Sequence, residues 1–85
     1  MHDRRMLPRK GTTSLDDLEV AIDLFWDENP TYRHHVKTRI GRAEDGKACI
    51  IFYTEQKEYW HRLIEKLPDG NYYGQPAGIE LHSKL

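Results

Sequence analysis

The sequence is short of the features that most often fix a protein's compartment. It has one cysteine in 85 residues, Cys49, so no disulfide can form within the chain, and this composition fits a reducing interior. It has no apolar run long enough to cross a bilayer, and residues 1–13 contain no apolar segment of the kind found in signal peptides. We therefore expect a cytoplasmic protein with no membrane association.

Recognisable catalytic and metal-binding motifs are also missing. The sequence contains no glycine-rich phosphate loop, no Gly-x-Ser-x-Gly, and neither Cys-x-x-Cys nor His-Glu-x-x-His spacing. Adjacent His34 and His35 would point to opposite sides of an extended backbone, which makes a shared metal ion difficult. We expect no enzyme, no cofactor and no metal. A small metal site that uses His34 or His35 with Cys49 is the alternative.

The charges nearly balance, but they are unevenly distributed. The formal net charge is -1, which gives no overall preference for nucleic acid or membranes. Residues 1–13 are basic, residues 14–35 are acidic, and residues 36–47 are basic again. The first stretch contains Pro8 and Gly11 and shows no periodicity, so we expect a flexible basic arm. The cations that would contact nucleic acid are Arg4, Arg5, Arg9 and Lys10 of this arm and Lys37, Arg39 and Arg42 of the second basic stretch.

Residues 14–28 have the pattern of an amphipathic helix. Ser14 suits its N-cap, and Asn29-Pro30 ends it because proline cannot continue the hydrogen-bonded turn. The stripe predicted to be buried consists of Leu15, Leu18, Ala21, Ile22 and Phe25. The opposite stripe is acidic and consists of Asp16, Glu19, Asp23 and Asp27. Such a row of carboxylates is either an ordinary solvated surface or a binding face for a basic partner.

A β-hairpin is predicted after this helix. Residues 36–40 alternate in polarity, residues 48–54 are almost continuously apolar, and Asp45-Gly46 suits a tight turn of two or four residues. With either turn, the face beneath the helices would carry Val36, Thr38, Ile40, Cys49, Ile51 and Tyr53. The other face would carry Ile50, Phe52, Lys37 and Arg39, which we predict to bind a partner or a second copy.

The remainder predicts a second helix and a tail. Residues 55–67 have a helical pattern with Trp60, Leu63, Ile64 and Leu67 on the buried side. In the loop that follows, Tyr72 and Tyr73 suit either an interaction surface or packing at the sheet edge. Residues 79–82 alternate as a short third strand would, and such a strand could add to the hairpin edge in this chain or in a partner chain.

These patterns predict one small α+β domain. Helix, β-hairpin and helix occupy residues 14–67, with the arm at 1–13 and a loop or edge strand at 68–85. Over residues 36–67 the order strand, Asp-Gly-Lys turn, apolar strand, Thr-Glu and helix resembles the dimerisation module of ParB-type segregation proteins. The acidic helix beside a small sheet is similar in outline to DinI-type inhibitors. The small size and the spare apolar strand face favour a homodimer.

Segregated charge without a catalytic constellation favours a non-enzymatic regulator or inhibitor that binds a protein, of the kind that phages and mobile elements encode. It would act through the acidic helix face or through the sheet face with Ile50 and Phe52. The alternative is a nucleic-acid-binding accessory protein that uses the basic arm and the basic hairpin strand. The sequence does not identify the partner.

Overall fold

Two helices cover one face of a five-stranded mixed sheet, which confirms the predicted α+β class. The computed structural model describes residues 4–82. The strands are β1 (Arg4–Met6), β2 (Val36–Arg42), β3 (Ala48–Thr54), β4 (Asn71–Tyr72) and β5 (Gln75–Leu81), and the helices are α1 (Leu15–Glu28) and α2 (Lys57–Lys66). Short 3-10 turns at Pro30–His34 and Pro68–Gly70 follow the two helices.

The strand order is β1, β5, β3, β2, and β4 pairs with β5 outside this path. β2 and β3 form the predicted antiparallel hairpin. After β3 the chain crosses through α2 and returns as β5, which runs parallel to β3. The third strand therefore adds to the hairpin as predicted, but it is not an edge strand, because β1 pairs with its other side. Residues 83–85 of the predicted tail lie outside the described residues.

The N-terminal segment belongs to the sheet and is not a free arm. β1 pairs antiparallel with β5, and Thr12 forms a β-bridge with Ala48. The predicted flexible arm is therefore wrong for residues 4–13, while residues 1–3 lie outside the described part of the chain. All these partners are distant in sequence, so the local pattern carried no signal of the pairing.

The β2–β3 turn contains five residues, 43–47. This length changes the hairpin register by one position from both of the predicted turns, and Ile40 lies opposite Ile50. Because alternate residues of a strand face opposite sides, a shift of one position exchanges the two faces of β3. The prediction that Cys49 and Ile51 pack beneath the helices is therefore wrong.

The four residues predicted as one partner surface lie on two faces of the sheet. Ile50 and Phe52 are fully buried beneath the helices. Lys37 and Arg39 are exposed, and the register puts them on the side without helices. The predicted shared face of Ile50, Phe52, Lys37 and Arg39 is wrong for the same physical reason, the odd number of residues in the turn.

Phe25 is central to the main core, between α1 and the sheet. Its ring centroid lies 4.5 Å from that of Phe52, 5.5 Å from that of Tyr72 and 5.8 Å from that of Tyr32. In the predicted α1 stripe, Leu18, Ala21 and Phe25 are buried and Ile22 is half-buried, but Leu15 is exposed. Residues of β2, β3, α2 and β5 complete this core, among them Val36, Ile50, Trp60, Leu63, Leu67, Ala77, Ile79 and Leu81.

Helix α2 begins at Lys57, two residues later than predicted. Gln56 is its N-cap residue, and Thr54 is the last residue of β3. Its Oγ1 donates to the carbonyl oxygen of His35 at 2.7 Å and accepts from the amide of Gln56 at 3.2 Å. The Thr54 side chain therefore connects the end of β3 to the end of the Pro30–His34 turn, and α2 begins after this connection.

Candidate functional site

The sheet face opposite the helices, here called the helix-free face, carries a row of polar side chains across four strands. The pairs are Arg5 with Glu80, Glu80 with Tyr53, and Tyr53 with Lys37. Arg39 lies two residues beyond Lys37 on β2 and points to the same side. Among residues 4–82, α1 and α2 pack on the other side. Cations from β1 and β2 thus lie on one surface.

Glu80 is a buried carboxylate beneath two exposed cations. Its side chain is 3% exposed, whereas those of Arg39 and Arg5 are 45% and 61% exposed. Arg39 Nη2 donates to Oε2 of Glu80 at 2.6 Å, and Arg5 Nε lies 3.7 Å from the same oxygen. His82 Nε2 lies 2.9 Å from Oε1. This single carboxylate therefore bonds to Arg39 and His82 and makes a longer salt bridge to Arg5.

The environment keeps Glu80 ionised. Burial raises its pKa, but the hydrogen bonds from Arg39 and His82, with the charges of Arg39 and Arg5, outweigh burial and lower the pKa below the usual value. At neutral pH the network therefore consists of one carboxylate and two guanidinium groups, and it carries net positive charge.

Ile51 fills the middle of the helix-free face because glycines flank it on both neighbouring strands. A Cβ at Gly41 would lie 2.5 Å from Ile51 Cγ1, and a Cβ at Gly78 would lie 3.1 Å from Ile51 Cδ1. Ile51 and Cys49 are both buried in a small second cluster on this side. Both faces of β3 are thus covered within the chain, so the spare face that motivated the homodimer is absent, and the homodimer stays a prediction.

The N-terminal segment docks on the β2–β3 turn at one end of this face. The carbonyl oxygens of Pro8 and Arg9 accept hydrogen bonds from the amides of Glu44 and Asp45 at 3.0 and 3.1 Å. This docking brings Arg9 and Lys10 to the end of the sheet that carries the turn, whereas Arg5 lies toward the other end, beside Glu80. The exposed cations at this end are Arg9, Lys10, Arg42 and Lys47.

Asp45 stabilises that junction. Its carboxylate accepts hydrogen bonds from the amides of Lys47 at 2.9 Å and Gly11 at 3.1 Å, and these bonds, that of Lys47 first, lower its pKa. Gly46 has a φ of 84°, a left-handed conformation that favours glycine. The Asp-Gly pair thus shapes the predicted turn, although the turn is longer than expected.

The predicted nucleic-acid contacts fall into three places. Arg5 lies on the helix-free face, together with Lys37 and Arg39. Arg9, Lys10 and Arg42 lie around the β2–β3 turn. Arg4 pairs with Leu81, whose side chain is in the main core, so Arg4 points to the opposite side of the sheet. The structure therefore brings Arg5, Lys37 and Arg39 together on the helix-free face. Arg4 and Arg42 are on the helix side of their strands, because strand side chains alternate.

The predicted acidic face of α1 is exposed along its length, at Asp16, Glu19, Asp23 and Asp27. Among residues 4–82 these four carboxylates make no hydrogen bond or salt bridge. Val20 lies among them and is 57% exposed. Near the end of the helix, a groove of about 390 Å³ is lined by Asp23, Trp26, Asp27, Pro30 and Arg33. The Arg33 guanidinium carbon lies 5.3 Å from the centroid of the Trp26 ring.

Tyr72 and Tyr73 hold the end of α1. Both hydroxyls donate to the carboxylate of Glu28, and these bonds, that of Tyr72 first, lower the pKa of Glu28. Burial and the bond to Glu28 raise the pKa of Tyr72. Tyr73 and Gly74 form the β4–β5 turn with φ of 50° and 75°, the left-handed pair typical of a two-residue hairpin turn. These contacts support packing, the second of the two roles that the sequence left open.

No three His, Cys, Asp or Glu side chains of the described residues lie together as a metal site would need. His34 and His35 have ring centroids 6.4 Å apart, and the His35 ring stacks on Tyr59 at 4.5 Å. Burial raises the pKa of the Cys49 thiol, which is typical of an unreactive cysteine. Within residues 4–82 no helix is long and apolar enough to cross a membrane.

Comparisons with protein-family models, curated proteins and solved structures give no match to this chain. The site must therefore be read from its geometry. Sequence reasoning missed three of its residues, Tyr53, Glu80 and His82. The alternation around Ile79 and Leu81 did signal that Glu80 and His82 share a strand face, but nothing local indicated that β1 and β3 would flank that strand.

Proposed function

We propose that this protein binds single-stranded nucleic acid through the helix-free face of its sheet. The proposal rests on the row that runs from Arg5 on β1 through Glu80 and Tyr53 to Lys37 on β2. Cations at both ends of the row suit phosphate contacts, and the partly buried ring of Tyr53 between them offers its exposed part as a surface on which a base stacks.

The charge distribution supports the proposal more than the net charge does. Three cations, Arg5, Lys37 and Arg39, lie on the helix-free face, and four more lie around the β2–β3 turn at one end of the sheet: Arg9, Lys10, Arg42 and Lys47. Three carboxylates lie with them: Glu44, Asp45 and Glu80. The acidic residues of α1 belong to the opposite side of the sheet. A flat sheet face also suits the splayed bases of a single strand. It does not fit the deep groove of a duplex, which admits a helix or a two-stranded ribbon.

The test is binding of a fluorescent oligothymidylate of about 12 nucleotides, a length within the site sizes of small single-strand-binding domains. We expect fluorescence anisotropy to show affinity that falls steeply between about 50 and 200 mM salt, because bound phosphates release counterions. Lys37→Ala should weaken binding and lower the salt slope by about 0.7, the value of one phosphate contact on a single strand.

Lys57→Ala is the matched control, since Lys57 is an exposed lysine on α2 and lies on the helix side of the sheet. This variant should leave the affinity unchanged. No binding by the unmodified protein at low salt would refute the proposed function. Equal weakening by both lysine variants would show non-specific attraction and would refute the assigned face.

We propose as a second candidate the protein-binding regulator or inhibitor, acting through the acidic face of α1. The observation that favours it is a row of carboxylates that make no salt bridge within residues 4–82, around exposed Val20 and next to the Trp26 groove. An apolar side chain framed by charges of one sign suits a basic protein surface that carries its own apolar contact.

This second candidate is tested with a lysine-rich peptide. Reversal of charge in the double variant Asp23→Lys, Asp27→Lys should abolish its binding, whereas Glu65→Lys on α2 should have a much smaller effect. Binding that responds equally to both changes would contradict a site on α1.

Light scattering at several salt concentrations tests the proposed homodimer, and a monomer at every concentration would rule it out.

A further inference from the structure

We infer that Arg5 and Arg39, held by buried Glu80, form a subsite for one phosphate group on the helix-free face. The inference rests on the proposed function for its natural ligand, a phosphodiester of single-stranded nucleic acid. Its geometry is independent of that ligand, because the two cations converge on the same carboxylate oxygen of Glu80.

The carboxylate lies beneath the cations and not beside them. Glu80 is almost completely buried, whereas both arginines are about half exposed and extend to the surface. Among the nitrogens of Arg39, Nη2 alone is hydrogen-bonded within residues 4–82, and its partner is Glu80. A guanidinium has five donors in a planar fork, so the remaining N–H groups of Arg39 are free to pair with two oxygens of a phosphate.

Before any ligand binds, the hydrogen bond to Glu80 already restricts the side chain of Arg39, and the salt bridge at 3.7 Å keeps Arg5 near the same oxygen. A free arginine loses rotamer freedom when it binds, and a partner that already restricts the side chain reduces this loss. Tyr53 of β3 lies next to Glu80 of β5 in the sheet, and the ring centroids of Tyr53 and His82 are 5.4 Å apart. A single-stranded nucleic acid bound at Arg5 and Arg39 would therefore pass beside the ring of Tyr53.

The role of Glu80 as a positioning residue leads to an expectation opposite to simple electrostatics. Glu80→Gln removes a negative charge from a face that binds an anion, so charge alone predicts tighter binding. If Glu80 positions the arginines, the variant should bind oligothymidylate about three- to tenfold more weakly, the range expected from the ordering of one or two flexible side chains. Glu44→Gln is the matched control, because Glu44 is an exposed carboxylate at the β2–β3 turn and contacts neither arginine through its side chain.

The experiment compares the unmodified protein, Glu80→Gln and Glu44→Gln by anisotropy, after circular dichroism shows that each is folded. Weaker binding by Glu80→Gln alone supports the subsite. Equal or tighter binding by Glu80→Gln overturns it and leaves the proposed function standing. Arg39→Lys provides a second test that keeps the charge, and unchanged affinity in this variant also overturns the subsite, because lysine lacks the planar fork.

A titration with inorganic phosphate separates this inference from the proposed function. We expect phosphate to shift the NMR signals of the Arg5 and Arg39 Nε–H groups in the unmodified protein, with smaller shifts in Glu80→Gln. These shifts without any binding of oligothymidylate would keep an anion subsite while refuting nucleic-acid binding. No shift at Arg5 and Arg39, or equal shifts at every arginine as for an adventitious ion only, overturns the inference.

Discussion

Ile40 and Ile50 lie opposite each other in the β2–β3 pair, on the side of the sheet that carries the helices. Ile50 is fully buried there, whereas Ile40 is on an outer strand and is 42% exposed. This pairing fixes which residues of β2 and β3 reach the helix-free face. The register is therefore the feature on which the assignment of the binding surface depends.

The isoleucine pair gives a direct test of the register. We expect Ile50→Val to lower the free energy of unfolding by about 0.5–1.5 kcal/mol, because it removes a buried methyl group. Ile40→Val removes the same group from a partly exposed position and should cost less than about 0.5 kcal/mol. Urea denaturation measures both. A larger loss for Ile40→Val would contradict the observed pairing.

Cys49 should be unreactive in the folded protein although it lies on the helix-free face. Its side chain is fully buried, and burial raises the thiol pKa, so the reactive thiolate is scarce. We expect an aromatic disulfide reagent to label it about a thousandfold or more slowly in buffer than in denaturant, since labelling requires opening of the structure. Val20→Cys in a Cys49→Ala background should react at once in buffer. Rapid labelling of Cys49 in the folded protein would show that the second cluster is open.

The helices and the hairpin strands were predictable because each carries a local signal. Neighbouring residues alone give the three- and four-residue spacing of apolar side chains in α1 and α2. They also give the end of α1 at Asn29-Pro30 and the turn at Asp45-Gly46. The face assignment depended on the number of residues in the turn. One extra residue beyond a four-residue turn was enough to reverse it, because strand side chains alternate with a period of two.

The candidate site was only partly predictable. The cations of residues 4–10 and 37–42 stand out in the sequence, and the structure brings Arg5, Lys37 and Arg39 of this set to the helix-free face. Their common surface depends on the pairing of β1 with β5, which joins the two ends of the described chain, and on the α2 crossover, which puts β5 beside β3. In the sequence, Glu80 is one polar residue of an alternating strand. Its burial follows from the position of β5 in the sheet, between β1 and β3.

Stability should depend on Glu80 in an acid pH range. Its pKa is lower in the folded protein than the usual value, so ionised Glu80 stabilises the fold above the unfolded pKa of about 4.3, and this contribution is lost as the pH falls through the folded pKa. We expect Glu80→Gln to lower the free energy of unfolding by about 1–3 kcal/mol at pH 7. The difference between the variant and the unmodified protein should shrink below about pH 4.3. Urea denaturation at several pH values measures it, and a difference that is constant with pH would contradict the ionic role.

Gly11 connects the fold to the proposed function, because it fixes the N-terminal segment on the sheet. A Cβ at this position would lie 2.5 Å from the carbonyl oxygens of Lys47 and Ala48, which belong to backbone that cannot move freely. Gly11→Ala should therefore weaken the bridge between Thr12 and Ala48 and cost about 1–3 kcal/mol, as overpacking does. For a domain of this size, each kcal/mol should lower the thermal midpoint by about 4–8 °C.

The same substitution should also reduce oligothymidylate affinity, since β1 carries Arg5 into the row on the helix-free face. Hydrogen exchange at the amide of Thr12 would report the loosened segment, because this amide donates to Ala48 in the β-bridge. Thr13→Ala, at the exposed neighbouring position, is the control for both measurements. If Gly11→Ala loosened the segment and lowered the midpoint but left affinity unchanged, the N-terminal cations would have no part in binding, and the surface would reduce to the cations of β2 and the turn.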